Sequence, residues 1–214
     1  SAHVSLAPHA QTIRHTPLST RFNVAAMACL GYELNLKYLT KAELNEIKKQ
    51  ISLYKSYQNV FQLGTFKRFN PIRKNLYIWQ VSLADTHIVG FYQTLYEASP
   101  NPDVLSIKDL KSDALYEMTS VQQTMPIGRF GHLIAHALPI KLNPNGFIMH
   151  TISKYKQLEN ATESYTISGQ ALMRGIPLKQ QFSGTYYNNQ TRILGDFGSQ
   201  LYIIRKVGEA HATD

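Results

Sequence analysis

Residues 76–81 read Leu-Tyr-Ile-Trp-Gln-Val, and residues 87–96 read His-Ile-Val-Gly-Phe-Tyr-Gln-Thr-Leu-Tyr. Both runs are rich in aromatic and β-branched residues, which favour a pleated, half-buried strand. Similar short runs recur at 115–118, 147–150 and 201–204. Turn-forming residues such as Asn143-Pro144-Asn145-Gly146 separate them. Many short strands with such turns predict an antiparallel β-sandwich or barrel, beginning near residue 58.

A capped helix precedes this β-rich part. In Thr40-Lys41-Ala42-Glu43 the Thr40 hydroxyl can accept the Glu43 backbone N–H, and the Glu43 carboxylate can accept the Thr40 N–H. Apolar residues then recur at spacings of three and four, which places them on one face of a helix. They are Leu44, Ile47, Ile51 and Tyr54. The pattern predicts a helix over 41–57.

The segments around this helix carry weaker signals. Residues 1–25 are predicted to be loop with short extended pieces, because Pro8 and Pro17 disfavour helix. The apolar run before Gly31 is predicted to be a short buried segment, and residues 32–36 alternate like a strand. A short helix or turn is predicted at 169–175.

Composition limits the classes of function. The 214 residues carry a formal charge of +8, but no run of five like charges occurs, so a solvated basic surface is favoured over nucleic-acid binding. No 18-residue apolar stretch indicates a membrane span, and no signal peptide opens the chain. The single cysteine, Cys29, excludes an internal disulfide and is predicted to be a small core residue.

The histidines are the only candidates for a metal site. His3, His9 and His15 are six residues apart, which is neither a helix period nor a usual ligand spacing for zinc. His132 and His136 are four apart, but Leu133 stands where a zinc peptidase carries its glutamate. We therefore predict a strand or loop at this pair, and no metal.

Catalytic motifs give no stronger signal. The sequence lacks the Gly-x-Ser-x-Gly elbow, a phosphate loop and a dinucleotide fingerprint, so no cofactor is predicted. Several acids are of the type that glycosidases use, but nothing in the sequence brings two of them together. They are Glu33, Asp85, Glu97, Asp109, Asp113 and Asp196. No catalytic residue is predicted from these patterns.

The opening segments carry a family resemblance. They are Ala2-His3-Val4-Ser5, Arg14-His15-Thr16-Pro17-Leu18-Ser19-Thr20-Arg21 and Gly31-Tyr32-Glu33-Leu34-Asn35, followed by the capped helix and, later, Ser168 to Ile176 and Gly195 to Ser199. In this order they resemble glycoside hydrolase family 36, specifically its lactobacillus-like α-galactosidases. Two departures occur: Pro8-His9-Ala10-Gln11 replaces Pro-Asn-His-Gln, and Phe22-Asn23 replaces Gly-Asp.

The resemblance implies a mainly β chain with two domains. Residues 1–58 would be the C-terminal end of a (β/α)8 catalytic barrel, its last strands and helix, and residues 59–214 a C-terminal antiparallel β-sandwich. Two strands cannot close a barrel. Residues 1–57 are therefore expected to need the rest of the barrel, or a swapped partner, for stability.

The resemblance also implies a function. The chain would be the C-terminal fragment of a retaining α-galactosidase that hydrolyses terminal α-galactosides such as melibiose and raffinose-type sugars. In the family the nucleophile is an aspartate in a Lys-x-Asp motif and the acid/base is a second aspartate, and both precede the His-Val-Ser segment. Neither motif is expected in this chain, which would therefore be inactive alone. A retaining glycosidase needs two carboxyl groups about 5 Å apart.

Roles for individual residues follow from the same resemblance. His3 and Ser5, at the end of the seventh barrel strand, would bind substrate or orient the acid/base, with shaping of the loop as the alternative. Arg14 and Arg21 would tie loops together rather than contact galactose, and Glu33 would cap a buried network. The expected partners are a galactoside and further copies of the chain, without nucleic acid or membrane, in the cytoplasm. A non-catalytic β-sandwich module that binds carbohydrate or a protein partner stays open as the alternative.

Overall fold

A computed structural model describes most of the chain, namely residues 2–69, 73–98, 101–127, 157–184 and 187–209. The strand predicted at 147–150 and the pair His132 and His136 lie outside these residues. Within the described part, none of the helices has the length and apolar character that crossing a bilayer requires.

The N-terminal part alternates strands and helices. They are β1 (Ala2–Ser5), α1 (Leu18–Ala26), β2 (Leu30–Glu33), α2 (Lys41–Ser56) and α3 (Gln58–Leu63), with a 3-10 turn at Leu36–Tyr38. Strands β1 and β2 pair in parallel. The capping box predicted at α2 is present: Thr40 Oγ1 accepts from Glu43 N at 3.2 Å, and Glu43 Oε2 accepts from Thr40 N at 2.8 Å.

Helix α1 corrects the prediction of a loop over residues 1–25. Pro17 does not prevent this helix, because it precedes the first turn, where no intrahelical N–H is needed. Leu18, Phe22 and Ala25 follow at spacings of four and three, and all three are buried. The strand predicted at 32–36 begins two residues earlier and ends three residues earlier, at Leu30–Glu33.

The remaining described chain is mainly strand. Its elements are β3 (Thr65–Phe69), β4 (Leu76–Leu83), β5 (Thr86–Gln93), β6 (Val104–Leu105), β7 (Ala114–Ser120), β8 (Thr124–Pro126), β9 (Gln157–Glu159), β10 (Ser164–Ser168), α4 (Gly169–Arg174), β11 (Ile176–Pro177) and β12 (Ser199–Glu209). Six strands form one antiparallel sheet in the order β10-β7-β12-β5-β4-β3. The mainly β class is therefore confirmed, and so is the short helix predicted near 169–175.

The six-stranded sheet is covered on both faces. On one face Val89 and Phe91 of β5 pack with residues of the 105–110 segment and of α4. On the other face Ile88 and Tyr92 share a core with α1, α2 and β1. Because successive strand residues point to opposite faces, β5 is buried along nearly its whole length. The sheet thus gives the N-terminal part a packing partner within this chain.

Candidate functional site

The parallel pair β1 and β2 brings the predicted substrate residues to one face. In the register, His3 lies beside Gly31 and Ser5 beside Glu33. Val4, between them, is completely buried under the helices. Since side chains alternate along a strand, His3 and Ser5 lie on the opposite face, together with Gly31 and Glu33. We call this the strand-end face, because Ser5 and Glu33 on it are the C-terminal residues of the two parallel strands. Parallel α/β proteins place their ligands beyond such ends.

His3 is oriented by its neighbours on the strand-end face. Its Nδ1 lies 3.3 Å from Glu33 Oε2, and its ring lies over Gly31, where a Cβ would contact the ring carbons at 3.6 Å. A carboxylate beside one ring nitrogen helps to fix the orientation of an imidazole. The expectation of a buried network at Glu33 is corrected, because its side chain is 78% exposed and reaches His3 from the surface.

Arg21 and Arg14 hold the loop that follows β1. Arg21 Nη1 donates to the carbonyl oxygen of Ser5, and its Nε donates to the carbonyl oxygen of Thr16 at 3.2 Å. The Arg14 guanidinium lies 4.7 Å from the centroid of the Phe197 ring, so it joins the same loop to the turn before β12. The predicted role of both arginines in tying loops is confirmed. Through Arg21, the main chain of Ser5 is fixed to α1.

Acidic groups of α2 and Arg21 of α1 line a cavity of about 920 Å³, which residues 121–126 and the segment before β12 also line. Glu46 accepts a hydrogen bond from Gln50 Nε2 at 2.9 Å, and Gln50 Oε1 accepts from the Tyr32 hydroxyl at 2.9 Å. Burial, and next the neighbouring Glu43 carboxylate, raise the pKa of Glu46 to about 7, against the opposing effect of Arg21. Glu46 is therefore a titrating group that touches β2 through Gln50.

The raised pKa of Glu46 predicts a pH dependence of stability. The folded state holds this proton up to about pH 7, whereas the unfolded chain releases it near pH 4.3, so stability falls as pH rises between these values. Allowing for partial solvent screening, we expect a loss of about 1–2 kcal/mol. Urea unfolding at pH 5 and pH 8 measures it. Glu46→Gln keeps the Oε1 acceptor and should show a smaller loss; an equal loss would assign the titration to other groups.

The remaining sequence candidates do not form a site. His9 and His15 are exposed in the loop after β1, and within the described ranges no cluster of three His, Cys, Asp or Glu side chains could hold a metal. Cys29 is exposed, which corrects its prediction as a core residue: α1 has ended before it, and Cys29 lies in the turn to β2.

Sequence reasoning missed a set of buried polar contacts between α1 and the sheet. Asn23 Nδ2 donates to Ser199 Oγ at 2.8 Å, and Ser199 Oγ donates to Thr20 Oγ1 at 2.9 Å. Tyr92 donates its hydroxyl proton to the Asn23 carbonyl oxygen at 2.7 Å. No local pattern could reveal contacts between residues 176 and 179 positions apart.

A Lys-x-Asp triplet does occur, at Lys111-Ser112-Asp113, which corrects the expectation that the chain lacks this pattern. All three residues are exposed and directly precede β7, in the sheet part of the chain. Lys111 Nζ lies 3.8 Å from Asp85 Oδ1. This triplet lies beside β7, whereas His3 and Ser5 belong to β1, and it gives no support for a catalytic pair.

Comparison with known families covers nearly the whole chain. The Melibiase model matches residues 1–64, and the model of the glycosyl hydrolase family 36 C-terminal domain matches residues 77–204. Alpha-galactosidase AgaA from Geobacillus stearothermophilus is 36% identical over 120 residues, which are 55% of this chain and 16% of that protein. Alpha-galactosidase Mel36A from Lactobacillus acidophilus is 29% identical over 135 residues, 62% of this chain and 18% of that protein.

Solved structures agree with the sequence matches. The crystal structure of the α-galactosidase from Lactobacillus brevis superposes with a TM-score of 0.65 at 26% identity, over 100% of this chain and 23% of that one. A variant of AgaA in complex with raffinose superposes with a TM-score of 0.65 at 25% identity, over 96% of this chain and 22% of that one. The chain therefore spans under a quarter of the length of the enzymes it matches.

Proposed function

The chain belongs to glycosyl hydrolase family 36, and on that premise we propose that it is the C-terminal part of a retaining α-galactosidase. The observation that carries the proposal is the order of the matches, because the Melibiase model ends at residue 64 and the C-terminal domain model begins at residue 77. The relatives named above are α-galactosidases, and one of them was solved with raffinose. The proposed substrates are terminal α-galactosides such as melibiose and raffinose-type sugars.

Two domains belong to this proposal. Residues 1–58 are the C-terminal end of a (β/α)8 barrel, in which β1-α1 and β2-α2 are the last two strand–helix units. Residues 59–214 are the C-terminal β domain. The parallel pairing of β1 with β2, and the core that β1 shares with α1 and α2, support the assignment of residues 1–58 to a barrel.

The substrate role of His3 and Ser5 also remains a proposal. The barrel lumen would lie on the strand-end face, so the imidazole of His3 and the hydroxyl of Ser5 would meet the sugar. Glu33 would hold the His3 ring in place through the contact at Nδ1. The catalytic nucleophile and acid/base would come from barrel strands that precede His3, and no step is assigned to acids of this chain.

Activity assays on the full-length protein and on the 214-residue chain alone test the proposal. The full-length protein that carries this chain is expected to hydrolyse p-nitrophenyl α-galactoside with release of the α-anomer, which NMR detects. The 214-residue chain alone is expected to show no hydrolysis. Hydrolysis by the chain alone would assign the chemistry to acids within it and would contradict the proposal.

A substitution tests the role of His3. His3→Ala in the full-length protein is expected to raise KM for p-nitrophenyl α-galactoside about 10-fold, because it removes a contact that substrate and transition state share. His15→Ala is the matched control, since His15 is exposed in the following loop and not on the strand-end face. Equal KM values for His3→Ala and the unaltered protein would remove His3 from the substrate site.

We extend the proposal to assembly and location. The enzyme would be a homo-oligomer, because apolar side chains of the described chain lie exposed, and it would lie in the cytoplasm, where proteins without internal disulfides are usual. Apolar side chains such as Tyr38 and Leu63 are exposed by 76% and 72% and would be covered in the assembly. Sedimentation velocity of the full-length protein tests the oligomer, and cell fractionation tests the location.

A further inference from the structure

Polar side chains join α1 to the sheet inside an otherwise apolar core. Asn23 and Ser199 are each 2% exposed, and Thr20 is 7% exposed. Ser199 Oγ accepts from Asn23 Nδ2 at 2.8 Å and donates to Thr20 Oγ1 at 2.9 Å. Burying polar groups is costly unless they are hydrogen-bonded, and here each satisfies another. Apolar residues would fill the same space without that requirement, so the polar contacts do more than fill a core.

These contacts fix the position of α1 in two directions. Ser199 belongs to β12, and the Tyr92 hydroxyl, which donates to the Asn23 carbonyl oxygen at 2.7 Å, belongs to the neighbouring β5. Hydrogen bonds are sensitive to distance and angle, whereas apolar contacts tolerate sliding. Hydrogen bonds to two neighbouring strands therefore fix the position of one turn of α1 on the sheet.

The same turn of α1 holds β1. Arg21 lies between Thr20 and Asn23 and donates to the Ser5 and Thr16 carbonyl oxygens. Val4 and Phe22 belong to one core cluster. The chain of contacts thus runs from Ser199 through Thr20 and Asn23 to Arg21, and from Arg21 to the main chain of Ser5.

We propose that α1 is a strut through which the C-terminal β domain sets the position of the strand-end face, with Thr20 and Ser199 as positioning residues. This inference rests on the proposed function, because it gives the β domain a part in galactoside binding. The two residues act through α1 and Ser5 and do not touch the sugar. If the two residues only stabilised the fold, any variant with the same loss of stability would change KM equally. We instead expect KM to change when Thr20 or Ser199 is substituted, and not when a buried residue elsewhere in the sheet is.

Four variants of the full-length protein make the test. Thr20→Val keeps the shape of Thr20 and removes its acceptor, whereas Thr20→Ser keeps the hydroxyl. Ser199→Ala removes the central hydroxyl. Ser120→Ala is the matched control, because Ser120 is also buried in the sheet and its Oγ accepts from Glu163 N at 2.8 Å, away from α1. The readouts are the melting temperature, and KM and kcat for p-nitrophenyl α-galactoside.

We expect Thr20→Val and Ser199→Ala to raise KM about 3- to 10-fold with kcat within about twofold, as for a shift in substrate-binding groups. Thr20→Ser should retain the original KM, and Ser120→Ala should lower the melting temperature without changing KM. The proposal would be wrong if KM were unchanged in Thr20→Val and Ser199→Ala. It would also be wrong if KM rose equally in Ser120→Ala. An unaltered protein without α-galactosidase activity would overturn the proposed function, and the strut with it.

Discussion

Replacing Arg192 with leucine is expected to lower the free energy of unfolding by about 3–5 kcal/mol, because it removes the buried cation beside the Glu163 carboxylate and one of the two cations beside Asp103. The Arg192 side chain is 1% exposed, and its guanidinium lies 5.3 Å from the centroid of the Phe91 ring. Nη2 donates to Asp103 Oδ2, Nε donates to the Lys179 carbonyl oxygen at 2.6 Å, and Nε lies 3.8 Å from Glu163 Oε1.

The carboxylates of Asp103 and Glu163 differ in the partners that they would keep in Arg192→Leu. Asp103 keeps Arg73 as an ion-pair partner and a hydrogen bond from Gln181 Nε2 at 2.7 Å. Glu163 is completely buried and keeps only neutral donors, namely Lys179 N at 3.0 Å and the hydroxyls of Tyr165 and Tyr202, each at 3.1 Å. The cost therefore arises mainly at Glu163, whose charge loses its compensation.

Urea unfolding at pH 7 measures the effect of Arg192→Leu. Arg205→Leu is the matched control, because Arg205 pairs with Glu117 at 2.8 Å where both side chains are largely solvated, at 54% and 38% exposure. An exposed pair of this kind contributes about 0–1 kcal/mol. A loss below about 1 kcal/mol for Arg192→Leu would show that the buried cluster is not a major source of stability.

Local patterns were sufficient for the elements that depend on their own residues. The capping box of α2 joins residues three positions apart, and β4 and β5 are buried along runs of aromatic and β-branched residues. Such signals arise within a single turn or strand and do not require knowledge of the rest of the fold.

The features that the sequence did not predict depend on residues far apart in the chain. Helix α1 has only nine residues and buries Thr20 and Asn23, which read as solvent-facing until Ser199 is placed beside them. Arg192 reads as a surface cation, but its partner Asp103 lies 89 positions away. The strand-end face was located by family resemblance, and its His3–Glu33 contact follows from a parallel register that the sequence does not specify.

Substituting alanine for Gly90 is the second large effect that we expect, a loss of about 3 kcal/mol from overpacking and a broken buried hydrogen bond. Gly90 and Tyr92 point to the same face of β5. A Cβ at Gly90 would lie 2.3 Å from the Tyr92 hydroxyl oxygen and 2.5 Å from two of its ring carbons. The Tyr92 ring has little freedom to move away, because it packs on Trp79 with ring centroids 4.6 Å apart and donates to the Asn23 carbonyl oxygen.

A double-mutant cycle between Gly90 and Tyr92 isolates this clash. Tyr92→Leu removes the ring, so Gly90→Ala should cost at least about 1 kcal/mol less in the Tyr92→Leu background than in the original protein. Gly208→Ala in β12 is the matched control, because nothing lies within 4 Å of its added Cβ, and its effect should stay within about 0.5 kcal/mol. Additive losses would mean that the ring moves aside freely. A smaller loss in the Tyr92→Leu background would show that Gly90 leaves the space in which the Tyr92 ring lies against β5 and reaches Asn23. The absence of a side chain at Gly90 would then help to hold α1 on the sheet.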